Sequence, residues 1–197
     1  MATGHDGPCP NYNYLTTYIF SETSIMSSAL LIIDFQKAVF TEPPAYQAEL
    51  VLARISDLIA RARKAGMAVV YVQHNEAGTV WEKDSETWHF PMEIAPQADD
   101  YICHKQHSSA FQQTGFQAGL AERGIDEIYV CGYASEFCLD SAIRQAAALG
   151  IKTNVVADAH TTRQRPHLDA PTISNHHNWV WSEMGQINVI PAAQLPF

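Results

Sequence analysis

Short apolar runs alternate with amphipathic stretches along most of the chain. Residues 29–33 form a continuous apolar run that ends at Asp34, a pattern typical of a strand buried on both faces of a parallel sheet. Similar runs predict further strands at residues 67–72, 101–103, 127–131, 152–157 and 187–190.

Between these runs, apolar residues recur at helical spacing. A stripe that includes Val51, Ile55 and Leu58 predicts a helix over residues 46–65, and Gly66 is placed to end it. Because strands and helices alternate, the sequence predicts an α/β fold with a mostly parallel sheet of about six strands and helices on both faces. The other helices are predicted at residues 112–123, 136–149 and 168–184.

Composition and charge narrow the classes of function. The chain has 197 residues, enough for one domain with a sizeable core. Its net charge of -9 argues against binding to nucleic acid or to an anionic membrane surface. No apolar run in the sequence is long enough to span a bilayer. The four cysteines show no paired C-x-x-C spacing for zinc. Cys103 and Cys131 lie in apolar strand-like runs and are interpreted as core residues, not as part of a disulfide framework, which favours a reducing, cytoplasmic location.

Residues 1–25 do not share the pattern of the remainder. They contain Gly, Pro, Asn, Thr and Ser with clustered tyrosines, and they lack both a clear period and the layout of a secretory signal. We therefore expect a disordered or non-native extension over residues 1–25 and a single folded domain over residues 26–197, with Met26 as the natural start.

The clearest chemical signal lies after the fourth predicted strand. Gly132 ends that strand, and a helical pattern begins at Cys138. Free N–H groups and the dipole at a helix N-terminus favour a thiolate, the form of cysteine that attacks carbonyl carbon. A lone cysteine is more often a small buried core residue, so a catalytic interpretation needs further support.

That support comes from the ends of other predicted strands. Ligands of open α/β sheets bind beyond the carboxyl ends of the strands, and Asp34, Lys105 and Cys138 all fall at such ends. Singly, an Asp here is more often a helix cap and a Lys a solvated charge. Together, the three can divide the work: Asp34 can accept the thiol proton, and Lys105 can keep Asp34 ionised, stabilise the thiolate and orient both groups. Cys138 can then attack an acyl carbon and form a thioester. The backbone N–H groups of Ala134 and Cys138 are candidates for an oxyanion hole.

Four segments carry a family resemblance: LIIDFQ at residues 31–36, HKQHSSAF at 104–111, GYASEFCLDSA at 132–142 and DAH at 158–160. Over about residues 28–191 the chain resembles the isochorismatase-like cysteine hydrolase superfamily, which includes nicotinamidases and streptothricin hydrolases. The resemblance implies a three-layer α/β/α sandwich and a catalytic triad of Asp34, Lys105 and Cys138. It also implies a cis peptide bond between Tyr133 and Ala134.

The chain departs from parts of the superfamily in its metal-binding pattern. Nicotinamidases carry an Asp-x-His pair and further histidines for a divalent cation, but residues 37–49 contain no such pair. Adjacent His176 and His177 would point in different directions on a helix. We therefore expect no metal and no cofactor, which argues against nicotinamidase activity. Milder departures are Ser135 and Leu139, where the family usually has Thr and Val.

Aromatic and polar residues near the predicted strand ends are expected to shape the substrate pocket and to favour a flat or ring-bearing substrate. The same residue types also serve in cores and in subunit contacts. The residues expected in the pocket are Gln36, Phe40, His74, Trp81, Phe111, Tyr133 and Phe137.

Three functions stay open at this point. The favoured one is cleavage of a small-molecule carboxamide or cyclic amide C–N bond through a thioester on Cys138. The second is vinyl-ether hydrolysis of the isochorismatase type, with Asp34 as general acid and no nucleophile. The third is ligand binding by a non-catalytic homologue. The expected partners are a small-molecule substrate and further copies of the chain in a homodimer or homotetramer, with neither nucleic acid nor a membrane.

Overall fold

A computed structural model describes residues 27–197, so the extension predicted at residues 1–25 lies outside the described residues. Six strands form one sheet in the order β3-β2-β1-β4-β5-β6, and every pair of neighbouring strands is parallel. The strands are β1 (Ser27–Ile33), β2 (Ala68–His74), β3 (Tyr101–Lys105), β4 (Ile125–Tyr133), β5 (Lys152–Thr161) and β6 (Ile187–Ile190).

Helices cover both faces of the sheet. Helix α1 packs on one face, and helices α2, α3 and α4 pack on the other, which gives the predicted three-layer α/β/α sandwich. No helix within residues 27–197 combines the length and the apolar character needed to cross a bilayer. The helices are α1 (Ala48–Lys64), α2 (Phe116–Glu122), α3 (Asp140–Ala148) and α4 (Ala170–Ser182).

Strand β1 shows how the core divides into two halves. Leu30 and Ile32 belong to the apolar cluster under α1, whereas Leu31 and Ile33 belong to the cluster under the other three helices. All four side chains are fully buried. Side chains of a strand alternate between the two faces of a sheet, so a strand covered on both faces is apolar at every position. This explains the continuous apolar run at residues 29–33.

Several element ends differ from the prediction. The helix predicted from residue 112 begins only at Phe116, because the Thr114 hydroxyl donates to the Ala110 carbonyl and accepts from the Phe116 N–H, which holds these residues in a turn. The helix predicted from residue 136 begins as a π-helical turn, Ser135–Leu139, that runs into α3. Strand β5 continues past the predicted end at residue 157, through a register shift against β4.

Strands β1 and β4 come unusually close at Gly132. This residue has a φ of 125°, and a Cβ placed there would lie 2.1 Å from the carbonyl oxygen of Ile33. Only glycine fits this combination of backbone angle and contact. The next peptide bond along the chain, between Tyr133 and Ala134, is cis. The close approach brings the end of β1 beside the π-helical turn that follows β4.

Candidate active site

The three predicted catalytic residues meet at the carboxyl edge of the sheet. Asp34 directly follows β1, Lys105 is the last residue of β3, and Cys138 lies in the π-helical turn after β4. The ammonium nitrogen of Lys105 lies 2.6 Å from Asp34 Oδ2 and 3.3 Å from Cys138 Sγ. A carboxylate, an ammonium and a thiol thus form one cluster around Lys105.

Lys105 is buried, with 2% of its surface exposed, and acceptors surround its ammonium group. Besides Asp34 and Cys138, Nζ lies 3.1 Å from His74 Nδ1 and 3.1 Å from the carbonyl oxygen of His107. Burial alone disfavours the charge, but the carboxylate of Asp34 and the thiol of Cys138 outweigh it, so the pKa of Lys105 is raised. The neighbouring carboxylate and thiol therefore favour the ammonium form of Lys105 in this site.

Asp34 occupies a strained position next to Lys105. Its φ of 49° lies in the left-handed region, and its N–H donates to the carbonyl of Val72 over 2.9 Å. Within residues 27–197 neither carboxylate oxygen accepts a hydrogen bond of good geometry, so the ion pair with Lys105 balances its charge. The carboxylate therefore keeps lone pairs open to take up a proton.

The thiol of Cys138 is protonated at rest. Burial raises its pKa, the negative charge of Asp34 raises it further, and Lys105 opposes both effects. The expectation that a helix terminus makes this group a thiolate is wrong for the free protein, because burial and the neighbouring carboxylate dominate. Cys138 must therefore lose its proton during attack on a substrate.

The cluster opens into a cavity of about 550 Å³. His74, Trp81, Tyr133 and Phe137, four of the residues expected in the pocket, line it. The rings of Trp81 and Tyr133 stack on each other at 23° with their centroids 5.7 Å apart, and this pair is called the aromatic wall below. The other lining residues are Asp34, Glu76, Gln106, His107, Ser108, Ala134 and Cys138.

Four of these lining residues were missed by the sequence analysis. Glu76 lies two residues beyond the end of β2, and Gln106, His107 and Ser108 directly follow Lys105 at the end of β3. The rule that ligands bind beyond strand ends also applies to these short segments. Their position after β2 and β3 could therefore have identified them in the sequence as lining residues.

Gln36 is not part of the cavity wall, contrary to expectation. Its side chain is fully buried, and its amide donates to the carbonyls of His74 and Trp88 over 3.1 and 2.8 Å. Its side-chain oxygen accepts from the N–H of His74. Gln36 therefore ties the segment after β1 to the end of β2 and to the long loop that follows.

Phe40 and Phe111 also lie outside the cavity wall. Phe40 packs edge-on against Phe35, and Phe111 packs edge-on against Phe116, with centroids 5.9 and 5.0 Å apart. Each is partly buried and packs against one of the two apolar clusters of the core. The burial of these rings removes apolar surface from water, which explains why they turn away from the cavity.

The N–H of Ala134 is an available hydrogen-bond donor beside the thiol. Ala134 lines the cavity, and its N–H donates no hydrogen bond within residues 27–197. Its carbonyl, by contrast, accepts from the N–H groups of Phe137 and Leu139 over 3.0 and 3.2 Å. These two bonds fix the turn that carries Cys138.

A buried hydrogen-bond chain supports this turn from behind. Ser135 Oγ lies 2.8 Å from His160 Nδ1, and His160 Nε2 lies 3.0 Å from Asn178 Oδ1. Burial lowers the pKa of His160 to about 4, so the ring is neutral near pH 7. Its Nε2–H therefore donates to Asn178, and its Nδ1 accepts from the Ser135 hydroxyl. These hydrogen bonds hold Ser135, the residue directly after Ala134, in place within the turn.

Among residues 27–197, no group of three or more His, Cys, Asp or Glu side chains is arranged to hold a metal ion. His176 and His177 lie side by side on α4, and His177 Nδ1 bonds to the carbonyl of Ile173. The absence of a metal and of a cofactor from the active protein stays a prediction.

Comparison with known proteins relates the sequence to one family. The Isochorismatase domain matches residues 28–185. A streptothricin hydrolase of Streptomyces noursei is 33% identical over 177 residues, which is 86% of this chain and 64% of that protein, so the chain spans less than two thirds of that relative. A maleamate amidohydrolase of Pseudomonas putida is 29% identical over 160 residues, 71% of this chain and 75% of that protein.

Solved structures agree with this relationship. An isochorismatase family protein is 29% identical, with a TM-score of 0.78 over 83% of this chain and 97% of that one. An isochorismatase from Pseudomonas putida KT2440 is 27% identical, with a TM-score of 0.80 over 85% of this chain and 89% of that one. Together with the domain match over most of the sequence, these findings show that the chain belongs to the isochorismatase family.

Proposed function

We propose that the protein is a cysteine hydrolase that cleaves the C–N bond of a small-molecule amide through a thioester on Cys138. One observation carries the proposal: the Lys105 ammonium lies between the carboxylate of Asp34 and the thiol of Cys138, at a cavity open to small molecules. The relatives named streptothricin hydrolase and maleamate amidohydrolase support amide hydrolysis as the reaction class.

In the first half of the proposed reaction, Asp34 takes the proton of the Cys138 thiol as sulfur attacks the amide carbonyl carbon. The carbonyl oxygen becomes negative and accepts a hydrogen bond from the Ala134 N–H. The C–N bond then breaks, and the leaving nitrogen takes the proton from Asp34. The products of this half are a free amine, or ammonia, and a thioester on Cys138.

In the second half, the same carboxylate acts on water. Asp34 takes a proton from a water molecule as its oxygen attacks the thioester carbonyl. The C–S bond breaks, the acid leaves, and the proton on Asp34 returns to sulfur. Lys105 stays charged throughout, since its raised pKa keeps the ammonium form. Its role is to orient both groups and to stabilise the thiolate as it forms.

The proposal is tested with a panel of amides and a measurement of ammonia or amine release. We expect Cys138→Ser to lower kcat by about 10³-fold or more, because a hydroxyl in this site is a much poorer nucleophile. The matched control is Cys103→Ser in β3, since this buried thiol does not line the cavity. Full activity in Cys138→Ser would rule out the thioester. Vinyl-ether cleavage that survives Cys138→Ser would favour the isochorismatase reaction instead.

A further inference from the structure

The cavity wall carries a carboxylate that has no Lys or Arg partner within residues 27–197. Glu76 lines the cavity, and its side chain is 58% exposed. Among residues 27–197, the only basic group within 4 Å of this carboxylate is the imidazole of His74, with Nε2 3.7 Å from Oε2. Burial and the adjacent ammonium of Lys105 lower the pKa of His74, so the ring is neutral. The negative charge of Glu76 is therefore open to a ligand.

Among residues 27–197, two of the basic side chains near the cavity are paired with carboxylates, whereas Lys83 lines a neighbouring cavity that also contains Glu76 and Gln106. No Lys or Arg side chain of residues 27–197 lines the active-site cavity itself. Lys105, beneath the cavity, is balanced by Asp34. Arg165, near the rim, lies 2.7 Å from a carboxylate oxygen of Glu136. Within the lining of this cavity, as formed by residues 27–197, a carboxylate on a substrate would thus meet no Lys or Arg, whereas a substrate cation would meet Glu76.

The wall beside Glu76 also suits a cation. In the aromatic wall Trp81 and Tyr133 stack on each other, and the electron-rich ring faces that the stacking leaves uncovered attract ammonium groups. Arg163, the other arginine of this region, donates to the carbonyls of Ala38 and Thr41 over 2.8 and 3.1 Å. These contacts hold its charge at the loop after β1, outside the cavity lining.

We propose that this cavity selects amides that carry a protonated amine, with Glu76 as the counter-ion and Trp81 and Tyr133 as the aromatic wall. The inference deepens the proposed function, on which it rests for the reaction but not for binding. Amides that carry a free carboxylate are disfavoured by the same charge. The selectivity weakens as salt rises, because Glu76 lies at a partly exposed site.

Binding is measured by titration calorimetry on full-length Cys138→Ser protein, which keeps the cavity but stops turnover. The probes are ω-amino amides from 3-aminopropanamide to 6-aminohexanamide, each matched with the uncharged n-alkanamide of equal length, and succinamate as an anion. At low salt we expect the tightest-binding ω-amino amide to bind about tenfold tighter than the n-alkanamide of equal length, a difference of about 1.4 kcal/mol. Succinamate should bind more weakly than either.

Two variants in the same background isolate the charge. Glu76→Gln should reduce the cation-to-neutral ratio to below about twofold, since it removes the counter-ion and keeps the shape. Glu93→Gln makes the same change of net charge at an exposed position that does not line the cavity, and it should keep the ratio. Equal binding of cations and neutral amides, no binding of any probe, tightest binding of succinamate, or a ratio that survives Glu76→Gln would each overturn the proposal.

Ammonia release from the same pairs by the wild-type protein separates this inference from the proposed function. Selective binding of the cations without release of ammonia would contradict amide hydrolysis and leave the cation selectivity in place. Hydrolysis of neutral or anionic amides in preference to cations would contradict the cation selectivity and leave amide hydrolysis in place.

Discussion

Replacement of Asp34 by Asn tests whether the central ion pair is as buried as the structure indicates. Asp34 and Lys105 are 1% and 2% exposed, and the charged atoms lie 2.6 Å apart. Asn keeps the shape of the side chain but leaves the buried ammonium with neutral acceptors only. Removal of one partner from a buried pair costs about 3–5 kcal/mol. Because His74, His107 and Cys138 still surround Nζ, we expect a loss near the lower limit.

The assay is urea unfolding at pH 7, followed by a thermal melt. Asp34→Asn should lower the free energy of unfolding by about 3 kcal/mol, which for a domain of this size lowers Tm by about 6–12 °C. The matched control is the double variant Asp34→Asn, Lys105→Met. It contains no uncompensated charge, so it should be more stable than the single Asp34→Asn variant.

Two results would refute this reasoning. A loss of less than about 1 kcal/mol in Asp34→Asn would place the pair among solvent-exposed ion pairs, which contribute little. A double variant less stable than Asp34→Asn would mean that Lys105 stabilises the fold through contacts other than its charge.

Two further predictions concern the turn after β4. Gly132→Ala places a methyl group 2.1 Å from the Ile33 carbonyl oxygen and should lower Tm by more than 8 °C or prevent folding. The control is Gly66→Ala, which also has a positive φ but open space around it, and it should lower the free energy of unfolding by only about 1 kcal/mol. Similar losses in the two variants would contradict the close approach of β1 and β4 at Gly132. The buried His160 has a pKa of about 4, so the unfolded chain takes up a proton that the folded one excludes, and the wild type should lose about 3 kcal/mol between pH 6.5 and pH 4 from this group. Measured by urea unfolding, His160→Gln should lack that part of the pH dependence of the free energy of unfolding. The same pH dependence in His160→Gln as in the wild type would refute this role of His160.

The sheet and its helices were predictable because burial on both faces imposes a pattern on the sequence. The run at residues 29–33 is apolar throughout because β1 is covered on both sides, and β6 matches its predicted bounds of residues 187–190. The ends of elements were less predictable, since tertiary contacts decide them. The extension of β5 to Thr161 depends on the register shift beside Gly132, which no local pattern signals.

The candidate site was predictable to the extent that topology fixes it. Asp34, Lys105 and Cys138 come together because the carboxyl ends of parallel strands lie at one edge of the sheet. The direction in which a side chain points was not predictable: Gln36 turns into the interior, and Phe111 packs against the edge of the core and not into the cavity. The protonation of Cys138 was also misjudged, because burial depends on the whole fold.

The sequence also understated the polar lining of the cavity. Glu76 stood out neither by periodicity nor by spacing, since a single exposed carboxylate after a strand is ordinary. Its distinctive property is the lack of a Lys or Arg side chain within 4 Å of its carboxylate among the described residues, which depends on where the Lys and Arg side chains fold. Such a property belongs to the assembled structure.

The most direct test of the central claim is the partition of product between water and hydroxylamine. A set of amides that share one acyl group and differ in the leaving amine is hydrolysed by the wild-type protein in the presence of hydroxylamine. If a common thioester on Cys138 forms, the ratio of hydroxamate to acid will be the same for every leaving amine, and Cys138→Ser will form both products at least about 10³-fold more slowly. A ratio that changes with the leaving amine, or acid without any hydroxamate, would contradict the thioester and with it the assignment of Cys138 as the nucleophile.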